Sequence, residues 1–141
     1  MGLFSSSKTG FDPKAEPIDP SWVRSAKGHF NRLTYLEPDQ IGLPGQGGVY
    51  VIWHKGVKPE WLYVGSSDDL AQTLTRAIED EEFYSYEPRG GLWCTWSFIV
   101  PEYRDGVVLY LRNLLNPVVE TRIGDEIDAQ KVAPVPVLPP G

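Results

Sequence analysis

The chain has 141 residues with 13 basic and 19 acidic side chains, a net charge of −6, which leaves room for one domain with tails but not for two full cores. No apolar run approaches the roughly 18 residues that cross a bilayer. The acid excess also disfavours a partner gripped through many phosphates, nucleic acid above all. The balance is no different in the middle of the chain: Lys55, Lys58, Arg76, Arg89, Arg104 and Arg112 face eleven acids across 46–120.

Met1-Gly2-Leu3-Phe4-Ser5-Ser6 lacks the basic, apolar and cleavage regions of a secretory leader. Gly2 and Ser6 fit a myristoylation pattern, but one short enough to arise by chance. Residues 1–45 read as an extended N-terminal arm, broken by Pro13, Pro17, Pro20, Pro38 and Pro44. Within it Ser21–Phe30 carries a short helical signal, with Ser21 as cap and Gly28 as stop. Val49–Trp53 is rich in β-branched and aromatic residues and predicts a strand; His54–Pro59 turns the chain, and Trp61–Val64 returns as a second strand.

A helix follows, capped by Ser67 or Asp68, with Leu70, Leu74, Ala77 and Ile78 on one face. Glu79–Glu82 ends it in acid, against its dipole, and reads as a solvated face or a partner contact. Leu92–Val100 predicts a third strand. It holds the one cysteine, Cys94, which excludes an internal disulfide and reads as a core thiol in a reducing, cytoplasmic or other intracellular setting. Asp105 caps a second helix in this reading, with Val107, Val108, Leu111, Leu114 and Leu115 as its apolar stripe and Pro117 as its end. Residues 121–141 close the chain as a Pro-rich extended arm of polyproline character. The middle, 46–120, is thus a small mixed α/β domain of order β-β-α-β-α.

That order, with Gly48-Val49-Tyr50 and Tyr63-Val64-Gly65-Ser66-Ser67 on paired strands, resembles the GIY-YIG nuclease family over roughly 46–120. Asp69-Leu70, Leu74 and Asn116-Pro117 add to the resemblance. The family uses two tyrosines to activate water and shape the phosphate site, an arginine on the first helix to steady phosphate charge, and a glutamate on the second to hold a divalent metal. The resemblance implies Tyr50 and Tyr63 as those tyrosines. It places Thr73 at the arginine position, Ala77 where a histidine often stands, and Val108 near the metal-binding glutamate. Threonine carries no charge and valine binds no metal, while a hard cation needs carboxylate oxygen and phosphoryl transfer rewards positioned cations. The expectation is a site that has lost its chemistry, with no cofactor and no metal. Mg²⁺ enters only in the alternative, an endonuclease with displaced residues, in which Arg76 and Asp105 reach the old site from one turn away.

Tyr50 and Tyr63 are also ordinary strand residues, and Gly48 and Gly65 serve close backbone approach whatever the function. His29 and His54 stand far apart without acidic or Cys partners at ligand spacing. Gly42–Gly48 lacks the Lys-Ser/Thr ending of a phosphate loop. The function this implies is a catalytically inactive domain serving as a structural or adaptor subunit, its arms laid on neighbouring protein subunits. A nucleic-acid binding module is the other alternative. Five tryptophans and seven tyrosines supply stacking platforms for it, or anchors for a protein interface.

Overall fold

The computed structural model describes residues 16–141, so the Gly2–Ser6 pattern lies outside the described residues. Strand β1 is Asn31–Arg32, β2 Gly48–His54, β3 Glu60–Ser67 and β4 Leu92–Ser97; helix α1 is Leu70–Ile78, α2 Glu81–Tyr84 and α3 Pro101–Leu115. The mixed α/β class expected from the sequence is what the structure shows. The four strands form one antiparallel sheet in the order β1-β4-β2-β3.

Strand β2 is buried along its whole length and runs through the middle of the sheet. Its side chains alternate between two apolar layers. Tyr50 and Ile52 join Leu70, Leu74 and Ala77 of α1 on one face. Val49, Val51 and Trp53 join Val107, Val108 and Leu111 of α3 on the other. The register slips between Ile52 and Trp53, where Ile52 pairs with Tyr63 and Trp53 with Trp61. Leu62 is therefore the extra residue of a bulge, and it buries on the same face as Tyr63.

Several boundaries differ from the sequence reading, each because a tertiary partner took over. No helix forms over Ser21–Phe30. Ser21 adopts φ +62°, Val23 N–H donates to Trp96 O, and the Thr95 hydroxyl donates to Val23 O, so the segment is held as an extension of the sheet beside β4. The cap of α1 is Asp69, whose carboxylate accepts from Gln72 N–H and Gly45 N–H, rather than Ser67 or Asp68. Of the acidic run only Glu79, the C-cap of α1, stands at the end of that helix. Asp80 caps α2, and Glu81 and Glu82 sit in its first turn, where the dipole favours them. Strand β4 stops at Ser97, short of Val100. Asp105 is no cap, because α3 already begins at Pro101, whose fixed φ suits a first helical position. Asn116 ends α3 in the left-handed region at φ +51°. His54 is not a turn residue; it closes β2 and is buried.

The arms are not separate from the domain. Residues 31–32 supply β1, and short 3₁₀ turns at Leu33–Tyr35 and Pro38–Gln40 cover the α1 side. Beyond α3 the chain lies along the open edge of β3, where Val118 and Val119 N–H donate to Trp61 and Leu62 carbonyls. It then crosses α3 at Gly106, where a Cβ would lie 2.6 Å from the Ala133 carbonyl oxygen. It ends paired with the N-terminal segment: Ile18 and Val137 form a parallel bridge, and Trp22 Nε1 donates to Leu138 O at 2.7 Å. Val137 is fully buried in the α3 layer. Among the described residues no helix is long and apolar enough to cross a membrane.

Candidate functional site

Tyr50 and Tyr63 reach the same face of the sheet because β2 and β3 pair with Tyr50 opposite Gly65 and Ile52 opposite Tyr63. Their rings lie side by side, 6.1 Å between centroids and 24° between planes. Gly65 makes the room: a Cβ there would stand 2.7 Å from the Tyr50 hydroxyl oxygen. Both phenols are almost fully enclosed, at 5% and 2% exposure. Burial, with Tyr63 and Asp125 adding to it, pushes the Tyr50 hydroxyl far above its ordinary range. Burial and then the bond to Asp125 push Tyr63 up to about 12. At neutral pH both keep their protons.

The segment after α3 encloses Tyr63. The hydroxyl donates to Asp125 Oδ2 at 2.5 Å and accepts from Arg122 N–H at 2.9 Å. The Arg122 side chain reaches across to α2, pairing with Asp80 at 2.9 Å and Glu82 at 2.7 Å, with its guanidinium 4.9 Å from the Phe83 ring centre. So two acids of the Glu79–Glu82 run are internal partners of a cation. From α3, Arg112 donates to Val64 O at 3.0 Å and to Asp125 O at 2.9 Å. Residues 117–127 thereby form a plug over the tyrosines. Beside it are a cavity of about 90 Å³ lined by Tyr63, Arg112, Pro117 and Val119, and a polar cleft of about 200 Å³ lined by Ser66, Asp105, Val108, Arg112, Asp125 and Glu126.

The other positions singled out by the sequence fall as follows. Thr73 spends its hydroxyl on Ser67 Oγ at 2.6 Å. Ala77 packs from α1 into the layer against the sheet, and Val108 does the same from α3 at 1% exposure. Arg76 is exposed on α1 and Asp105 exposed on α3. Those helices pack on opposite faces of the sheet, so the structure does not bring Arg76 and Asp105 together. Asp105 and Arg112 both line the polar cleft instead. Among the described residues, no three His, Cys, Asp or Glu side chains are grouped to hold a metal ion. His29 is exposed, while Cys94 is fully buried and its thiol is pushed up by burial.

Sequence reasoning missed Arg112, Arg122 and Asp125. Arg112 left a signal, a charged residue one turn after Val108 on a helix otherwise read by its apolar stripe. Arg122 and Asp125 left none, since they lie in a stretch without periodicity and only the fold gives them partners. Family models, curated proteins and solved structures all provide no match to this chain.

Proposed function

We propose that this chain is a catalytically silent GIY-YIG-like domain that serves as a structural or adaptor subunit of a larger protein assembly. The observation that carries the reading is the plug: the Tyr63 hydroxyl donates to Asp125 and accepts from Arg122, so its proton is already committed within the chain. Thr73 and Val108 support it, because neither supplies the charge or the carboxylate that a metal-dependent phosphoryl transfer needs. Exposed Tyr35, Tyr84, Phe98, Leu114 and Ile123 support contact with protein. The C-terminal arm enters this reading altered, since Val118, Val119, Val135, Val137 and Leu138 bond to or pack on their own domain. Contact with a neighbouring subunit then falls to exposed apolar side chains.

Two measurements test the proposal. Purified protein incubated with linear and branched DNA in Mg²⁺ or Mn²⁺ leaves both intact; metal-dependent cutting that Tyr50→Phe abolishes would sink the silent reading. Native mass measured on material from the source exceeds that of one chain through other proteins; a stable free monomer there rejects the assembly.

A further inference from the structure

At the hairpin end of β2 and β3, away from the tyrosines, a cleft of about 630 Å³ opens between the 55–59 turn and the turn before β4. Lys55, Gly56 and Lys58 form one wall, Pro88, Arg89 and Gly90 the other, with His54 and Glu60 also lining it. His54 is 1% exposed. Its Nδ1 accepts from Gly56 N–H at 3.1 Å, so Nε2 carries the proton and donates to Glu60 Oε1 at 2.9 Å. Stacking on Tyr86, 5.5 Å away and 15° from parallel, holds the ring in that pose.

Glu60 is therefore already engaged, and the same oxygen is 3.9 Å from Arg89 Nη1. Lys55 Nζ lies 4.0 Å from the Trp93 ring centre, and Lys58 forms no ion pair among the described residues. Three cations thus share one carboxylate, leaving a local excess of two positive charges on a chain whose net charge is −6. The cleft's width is set by main chain. Gly90 has φ +79°, a Cβ there would lie 2.2 Å from Lys55 O, and no bulkier residue lets the two turns approach this closely.

We propose that this cleft binds a small phosphate-bearing ligand. Ammonium point charges and a guanidinium fork are the groups that recognise phosphate oxygens, and a cleft with fixed walls loses little freedom on binding. A nucleic-acid strand is the poorer occupant, because its further phosphates would meet a chain of net charge −6 without a second cation cluster to hold them among the described residues that line the cleft.

The test titrates inorganic pyrophosphate, and separately a short oligothymidylate, into the full chain at low ionic strength, followed by amide chemical shifts. Pyrophosphate is expected to saturate and to move the Gly56 and Gly90 amides. The exposed double variant Lys58→Ala/Arg89→Ala, folded by circular dichroism, weakens it at least about tenfold. Arg76→Ala, an exposed cation on α1, leaves it unchanged. Absence of saturable binding overturns the site, as does an equal loss in Arg76→Ala, which would mean bulk charge alone. Oligothymidylate displacing pyrophosphate from the same amides at lower concentration would assign the cleft to nucleic acid and reject the small ligand. None of these outcomes bears on the native-mass test of the assembly.

Discussion

Tyr63→Phe removes one oxygen and keeps the ring against Tyr50 and Phe83. Two bonds vanish with that oxygen, one to the Asp125 carboxylate and one from the Arg122 amide. A hydrogen bond to a charged group contributes about 1.5–3 kcal/mol, and an amide left without its partner costs about 1 kcal/mol more. The expected loss is therefore roughly 3 kcal/mol, or about 6–12 °C in Tm for a chain of this size. Urea unfolding followed by tryptophan fluorescence at pH 8 measures it. Asp125→Asn in a double-mutant cycle with Tyr63→Phe should return a coupling of about 1 kcal/mol or more.

The same oxygen has a pH signature. Burial and the bond to Asp125 push Tyr63 up to about 12 in the folded chain, against an ordinary value of 10. The unfolded chain releases this proton first as pH rises. The stabilisation is thus complete below about pH 10 and is lost as pH climbs towards 12, a total of roughly 3 kcal/mol. Between those values the parent chain should lose stability more steeply than Tyr63→Phe. Equal slopes, together with equal stability at pH 8, would refute the account of the plug.

Gly65→Ala drives a methyl to 2.7 Å from the Tyr50 hydroxyl oxygen, and displacing that ring should cost about 1–3 kcal/mol in chemical denaturation. Gly106→Ala tests a sign. Helix propensity alone favours alanine by about 1 kcal/mol, yet the methyl would meet Ala133 O and Val135, so net destabilisation and faster proteolysis within 128–134 are expected. Arg122→Gln frees Asp80 and Glu82; these pairs are partly exposed, so the loss should be about 1 kcal/mol and should shrink as salt is added.

The strands and helices of the middle were legible because their periods are strong. Val49–Trp53 and the Leu70, Leu74, Ala77 stripe declare themselves whatever surrounds them. Boundaries were less legible: Asp69 and Ser67 are both good caps by residue type, and only the position of Gly45 and Gln72 selects between them. The false helix at Ser21–Phe30 has a different cause. Local propensity there is weak, and the carbonyl of Trp96 with the hydroxyl of Thr95 offers the backbone a better arrangement. At the site, Tyr50 and Tyr63 stood out through the two tyrosine-glycine triplets that carry the family resemblance, whereas the register that sets them side by side, with its bulge at Leu62, left no sequence signal. The plug was not visible, since Arg122 and Asp125 act through contacts some 60 residues away in sequence.

The parallel bridge between Ile18 and Val137 has a kinetic consequence. Trp22 and Leu138, bonded beside it, are 116 residues apart in sequence, so joining them closes nearly the whole chain into a loop. Loop closure of that length costs entropy before any contact returns it, and such contacts form late. The clasp should therefore be absent from the folding transition state, and changes within it should leave the refolding rate nearly untouched while accelerating unfolding. The paired ends then act as a brake on opening, setting how long each folded molecule lasts rather than how quickly it is made.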